Sequence, residues 1–559
     1  IPAFPNNKKI NNMKSYLTKT FLIILVIGFV SCSKDDLRQY DLKQQKDAVE
    51  SLNDPYLLSS IIKQTTLFYQ DRGWGSTKLP GAVQFTMRNF QGGDNYYSGF
   101  KGLDDGMYSA MNILKLVDAS IKLADARGSQ THVGIFTTFR VLLFSFMTDF
   151  YGDVYYSEAL KGREGILYPV YDKQSDIYTG LLKELDDASA LISSGTEAVS
   201  PTYDLMFGGD KTQWLKFCNS LKLRLLMRAS AKMSDAGSKI AAVAAMPIFS
   251  DDADMNASIA YVGTTSVNSW VGGSNNWGNG GEFERRRPCK SLVDRMTTLN
   301  DPRMKVWFAP VEFPWTYDAA KNGETFETTD PNGFTYSSTW EFVDLTNPVM
   351  AAQVPNILDV DKVYVGFIAG MNGDFKNGNG HWNTSAGGTF GNFKVSMYSK
   401  LFQENAHALL RAQIMNKDEV QFILAEAAAK GLISGNADTY YRTGIKFSMA
   451  RWGVSDEDIS AYLAQSVIAL PGDAAGKLAK IAEQKWIALF SVATEAYLDL
   501  RRTKLPDIFK NGLLSTYTFP LRFRYPGNEL GQNKNAYDKG VATLAPAVDD
   551  EFSKMWLLQ

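Results

Sequence analysis

The sequence predicts a mainly α-helical scaffold that carries a large loop-rich face, and three observations predict it. Apolar residues recur at spacings of three and four through about 48–245 and again through about 401–510, the period of helices with one buried stripe. Between those zones, about 246–400, clusters of Gly, Asn, Ser and Thr interrupt the period, and such residues favour turns because they accept left-handed backbone and satisfy it locally. Ahead of both lies a short apolar run that stops at a cysteine.

The N-terminal run reads as an address. Residues 1–12 are taken as an upstream extension, with the start at Met13 and a basic segment containing Lys14 and Lys19. Phe21 to Val30 is apolar, but ten residues of helix span only about 15 Å, half of a bilayer core. A signal peptide is expected rather than a transmembrane helix. Phe29-Val30-Ser31-Cys32 is similar to a lipobox, so residues 1–31 are expected to be removed and Cys32 acylated. Two or more acyl chains anchor stably where one does not. Ser33-Lys34-Asp35-Asp36 is similar to the signal that exports Bacteroidetes lipoproteins to the outer face, and residues 32–47 are polar enough for a tether. Residues 48–559 are then expected to form one domain with the loop-rich insertion at about 246–400.

In the first helical zone, Ile177, Tyr178, Leu181, Leu182, Leu185, Ala188 and Leu191 form one stripe. Leu142 to Met147 is apolar nearly all round, as in a helix enclosed by others. Asp210 and Gln213 have capping-box spacing ahead of Trp214, Phe217, Cys218, Leu221 and Leu225. The last zone repeats the pattern with Val420, Ile423, Leu424, Ala427 and Ala428, then Ile481, Trp486, Leu489, Phe490 and Ala493. No clean 34-residue repeat is visible.

Composition narrows the function. Hydrophobic residues at 45% and charged residues at 21% describe a globular protein. A net charge of −2 provides no basic field for nucleic acid. His132, His381 and His407 are too dispersed for a zinc motif, and Cys32, Cys218 and Cys289 make no disulfide framework. No cofactor motif stands out.

Several blocks together resemble the SusD/RagB family. They begin with Thr148-Asp149-Phe150-Tyr151-Gly152-Asp153-Val154-Tyr155-Tyr156-Ser157-Glu158-Ala159, where Tyr155 replaces the usual Pro. Phe207-Gly208-Gly209-Asp210 leads into Trp214, Asn219, Arg224 and Arg228; Asp301-Pro302-Arg303 and Tyr364-Val365-Gly366 follow. Glu419 to Gly431, Glu483-Gln484-Lys485-Trp486, Glu495 through Thr503, and Arg524-Tyr525-Pro526 with Glu529 and Asn533 complete the series. The resemblance implies tetratricopeptide-like helix hairpins supporting a loop-rich face, and an outer-membrane lipoprotein facing the cell exterior. It implies no catalysis: such a protein binds an oligosaccharide or other nutrient and covers a SusC-like TonB-dependent transporter as a lid. A surface glycan-active hydrolase and a helical-repeat adhesin or assembly lipoprotein are the alternatives.

The motif carboxylates Asp149, Asp153 and Glu158 read as structural, with Asp153 holding a loop or capping a helix. Arg501 and Arg502 are expected to pair along their helix with Glu495 and Asp499, and Trp214 and Trp486 to lie in the core. Sugars offer flat C–H faces and hydroxyls, so a site needs aromatic platforms beside hydrogen-bonding groups. The loops supply Trp74, Phe90, Asn95 and Tyr96 early in the chain, and Trp270, Asn276, Trp277, Trp315, Trp340 and Trp382 in the middle.

Overall fold

The computed structural model describes residues 54–76, 78–88, 97, 100, 106–277, 283, 286–348, 359–369, 394–508 and 518–559. Cys32, its tether and the preceding segment lie outside them. Residues Asp54–Gln559 form one compact unit.

The first helical zone contains α1 (Asp54–Gln70), α2 (Lys78–Ala82), α3 (Gly106–Ala126), α4 (Gln130–Tyr151), α5 (Gln174–Ser194), α6 (Lys211–Ala229) and α7 (Ala236–Ala244). Neighbours in sequence pack as hairpins: α3 on α4, α4 on α5, α5 on α6 and α6 on α7. The α4 helix is long and apolar enough to cross a membrane by composition, yet 83% of its apolar window is buried inside the fold. Its Leu142–Met147 stretch, apolar but for Ser145, is buried throughout, as its nearly continuous apolarity predicts. Close contact with α5 depends on Gly134, where a Cβ would fall 2.7 Å from the Ala188 carbonyl oxygen. Gly152 ends α4 at φ +94°, a conformation other residues rarely adopt.

Asp210 caps α6 by accepting hydrogen bonds from the Thr212 and Gln213 amides. The reciprocal half of the expected capping box does not form there. The Gln213 side-chain oxygen instead accepts from the Met255 amide, tying the helix to the following loop. Cys218 is fully enclosed, and burial pushes its thiol up to about 12, as expected of an inert core cysteine.

The middle zone is more structured than its composition suggests. It contains α8 (Ser274–Trp277), α9 (Lys290–Thr298), α10 (Arg303–Trp307) and short strands in pairs. β1 (Thr86–Arg88) pairs antiparallel with β3 (Arg286–Pro288), and β2 (Ala257–Ala260) with β8 (Arg411–Met415). β4 (Trp315–Thr316) runs parallel to β7 (Glu341–Phe342), while β5 (Thr325–Thr329) and β6 (Thr335–Thr339) form a hairpin. Each pair is too small to stand alone, so these strands act as clips that fix loops onto the helices.

The last zone contains α11 (Lys417–Ala429), α12 (Ala437–Arg451), α13 (Asp456–Ala464), α14 (Ala474–Ala488) and α15 (Ala493–Thr503), and α16 (Gly527–Gln532) and α17 (Lys534–Ala542) follow in the tail. The fold is mainly helical, as the stripes predict. A buried ionic hub joins the two helical zones. Arg224 of α6 forks onto Glu419 of α11 at 2.7 and 2.6 Å, and Arg228 bridges Asp149 of α4 and Glu495 of α15. Every one of these side chains is less than one-tenth exposed. Arg501 donates to the carbonyls of Asp149 and Leu521, both at 2.7 Å. Of the expected pairings within the helix, Arg502 with Asp499 forms at 3.1 Å, whereas Glu495 turns away to α6.

A second hub fixes the C-terminus. Glu529 accepts from the hydroxyls of Tyr108, Tyr155 and Tyr171 at 2.8–2.9 Å. Tyr155, the departure from the usual motif, thus contributes a hydroxyl that proline lacks.

Candidate ligand-binding face

The motif carboxylates are committed to holding the fold. Asp149 is sealed against Arg228. Asp153 accepts from the amide of Gln174, the first residue of α5, at 2.8 Å and so caps that helix from outside. Glu158 accepts from the Val170 amide at 2.9 Å. None of the three is arranged as an exposed acid–base pair.

The ten aromatic and amide candidates separate sharply. Trp74 and Trp270 are 0% and 1% exposed, so neither offers a platform to a ligand. Gly73 and Gly75 make the setting of Trp74 read as a loop, but a π-helical turn at Asp71–Gly75 folds its ring inward. There it stacks on Phe402 at 5.2 Å and meets Trp270 and Phe490 at 5.6 and 5.0 Å. Trp214 and Trp486 are core residues, as expected. Asn276 is exposed, but its side-chain nitrogen donates to the Trp270 carbonyl at 2.8 Å and braces the loop. Trp277 ends α8. Phe90, Asn95, Tyr96 and Trp382 lie outside the described residues.

Trp315 of β4 is in register with Glu341 of β7, and Trp340 precedes that partner in the chain. Bends at Phe313 and Tyr317 flank the two-residue strand β4; Pro314 and Thr316 are buried, whereas Phe313 and Trp315 are half-buried and Tyr317 is exposed. Lys394 contacts both Phe313 and Trp315, which places those two rings on one side of the segment, and the exposed Tyr317 follows them in the chain. Tyr317 is 45% exposed and Trp315 is half-buried. The Lys394 ammonium sits 4.0 Å from the Trp315 ring centre and 5.5 Å from that of Phe313. It also pairs with Glu341. Burial moves Lys394 down from the ordinary lysine range, while Glu341 opposes that shift. Trp340 plays a supporting part: it packs on Phe326 of β5 at 5.5 Å, and Lys321 lies 5.4 Å over its ring.

The next segment links this strip to a pocket. The Asp361 amide donates to the Trp315 carbonyl at 2.8 Å, and the Thr316 hydroxyl donates to the Asp361 carboxylate at 2.6 Å. Asp359 and Asp361 both adopt left-handed backbone, at φ 68° and 58°, a conformation Asp tolerates better than most residues. The first turns its carboxylate to Lys290 and Lys362. Against the cost of burial, hydrogen bonds from those lysines hold Asp359 below the usual carboxylate range.

Lys290 also lines a pocket of about 330 Å³ with Gln84, Asp294, Arg295, Asp507 and Ile508. Its four charged side chains balance, two against two, and Ile368, Ala369 and Ile508 supply the apolar part of the lining. Such a mixture suits a neutral molecule with many hydroxyls better than an ion. Sequence reasoning missed Phe313, Tyr317, Lys394 and the Lys290 pocket. The alternation of aromatics at 313, 315 and 317 was the available signal for the first two. The lysines become recognisable only once remote segments meet.

Comparison with known proteins settles the family. The SusD-like family model described as "Starch-binding associating with outer membrane" matches residues 46–370 and 360–526. The chain belongs to this SusD-like family. Solved structures share its fold. A SusD homologue from Bacteroides fragilis aligns with a TM-score of 0.69 at 20% identity, covering 91% of this chain and 100% of that one. A chitin-binding protein gives 0.66 at 23% identity, and a Bacteroidetes SusD-like protein 0.68 at 22%, with the same coverages. No curated protein matches the chain. SusD-like proteins bind starch or other nutrients and associate with the outer membrane, and Asp149, Tyr155, Arg224, Arg228, Glu419, Glu495 and Glu529 from the motif blocks of this chain form its two hubs.

Proposed function

We propose that this chain is a non-catalytic, cell-surface lipoprotein that captures an oligosaccharide and acts as the lid of a SusC-like TonB-dependent transporter. In this reading the signal peptide ends at residue 31, acylated Cys32 and a tether to residue 47 anchor the protein, and residues 48–559 do the binding. The observation that carries it is the Phe313–Trp315–Tyr317 strip, linked through Asp361 and Asp359 to a polar pocket of balanced charge. Aromatic faces cover the C–H faces of a sugar ring, and Gln84, Lys290 and Asp294 offer donors and acceptors for its hydroxyls. A few such contacts give binding of about −4 to −8 kcal/mol, millimolar to micromolar, which suits capture followed by release. The chitin-binding relative belongs to the same structural group, which supports a glycan as the ligand. Trp315 and the candidates outside the described residues, Phe90, Asn95, Tyr96 and Trp382, are the further platforms of this reading.

The test combines partner and ligand. Tagged protein is recovered from solubilised outer membranes, and the co-purifying proteins are identified by mass spectrometry. A TonB-dependent barrel in near-equal amount is the expected result, and a lone lipoprotein under conditions that preserve such complexes would sink the lid assignment. Titration with an oligosaccharide panel then compares the protein with Trp315→Ala. Equal affinity of the two proteins for every sugar bound would remove the strip from the site.

A further inference from the structure

A second cavity, of about 210 Å³, lies in the C-terminal helical layer among α11, α14 and α15. Its walls are mainly apolar, formed by Leu478, Ile481 and Trp486 of α14 and Ala496 and Leu500 of α15. One side is polar. There Arg502 forks onto Glu426 with both contacts at 2.7 Å and reaches Asp499 at 3.1 Å. Lys430 pairs with Glu426 at 2.6 Å, and Lys485 pairs with Asp499.

The charges on that side do not cancel. Lys430, Lys485 and Arg502 face two carboxylates, Glu426 and Asp499. Arg228 also borders the cavity, but it belongs to the hub, where Arg224, Arg228 and Arg501 stand against Asp149, Glu419 and Glu495. Burial opposes ionisation of Glu426, yet Arg502 and Lys430 hold it down to about 2, so the carboxylates remain charged at neutral pH. The buried Nε–H of Arg502 has no hydrogen-bond partner among the described residues. A donor left unsatisfied away from water is costly, and an anion supplies the missing acceptor and the missing charge together.

We propose that this cavity binds a small amphipathic carboxylate. The carboxylate lies against Lys430 and Arg502, and the apolar body lies against Leu478, Ile481 and Leu500. A dry cavity of about 150 Å³ is known to accept benzene, so this one suits a phenyl ring with a short acidic arm. The proposal does not depend on the glycan reading, because it uses none of the residues of the Trp315 strip or the Lys290 pocket.

The test is calorimetric titration of the full chain with 3-phenylpropionate, using 3-phenylpropanol and acetate as controls. Phenylpropionate is expected to bind in the millimolar range or tighter, the alcohol at least tenfold more weakly, and acetate without measurable heat. Leu478→Trp fills the cavity from a half-buried wall position and should abolish binding while the melting temperature holds. Lys430→Gln, at a side chain 31% exposed, should weaken the acid at least threefold and leave the alcohol unchanged. The proposal is overturned if acid and alcohol bind alike, if the acid produces no heat at 10-millimolar order, or if both variants bind as the parent does.

Discussion

The hub around Arg228 and the face around Trp315 both set cations against carboxylates, yet they do different work. Arg228, Asp149 and Glu495 are each less than one-tenth exposed, and their partners lie on three different helices. Lys394 is equally covered, but its partner Glu341 leaves 42% of its side chain in solvent. Burial of both partners makes the first arrangement a lock, since removing one charge strands the others in a low-dielectric interior. An exposed partner lets water replace the missing cation, so the second arrangement leaves room for a ligand to compete. The comparison teaches that the density of ion pairs does not locate function in this fold; the exposure of the weaker partner does.

Breaking the hub should have the largest effect. Arg228→Ala leaves Asp149 and Glu495 buried without their shared cation, and about 3–5 kcal/mol of stability should be lost in denaturant unfolding. Lys394→Met should cost less than about 1 kcal/mol in the same assay, since Glu341 reaches water. Equal losses for the two would erase the distinction.

Acid should act next, through Glu426. Its folded value of about 2 lies below the ordinary 4.5, so its contribution is complete above about 4.5 and is lost as pH falls towards 2. The shift corresponds to at most about 3 kcal/mol. Unfolding curves from pH 5 to 2 should show that slope, and Glu426→Gln should flatten it.

On the ligand face, Trp315→Ala should cost about 1–2 kcal/mol in sugar affinity with the melting temperature nearly unchanged. Calorimetry on folded variant protein measures it. Tyr155→Phe should have the smallest effect, about 1 kcal/mol of stability, because Glu529 retains the hydroxyls of Tyr108 and Tyr171. A loss as large as that of Arg228→Ala would make the tyrosine hub equal to the ionic one.

The helices were legible because their apolar stripes respond to one requirement, burial against a neighbour. Ile177 through Ala188 and the enclosed Leu142–Met147 segment behave as that period dictates. The capping of α5 by Asp153 was legible in kind, though only the fold reveals which helix is capped. Loop tryptophans were less readable, since Gly on both sides of Trp74 signals a turn without saying which way the ring points. The side chain's direction depends on the Phe402 and Phe490 rings, more than 300 residues away in the chain. Lys394 over Trp315 was hidden for the same reason: no local period connects residues separated by that much chain.

The Glu529 hub imposes an order on how the molecule is made. Tyr155 and Glu529 are 374 residues apart, so the motif near residue 150 has no carboxylate to close on until almost the whole polypeptide has arrived. Contacts of such long range form slowly because the loop between them must be closed first. In a chain made from its N-terminus, the early helices precede the carboxylate on which Tyr108, Tyr155 and Tyr171 converge. A product that stops short of Glu529 lacks the one acceptor those three hydroxyls share.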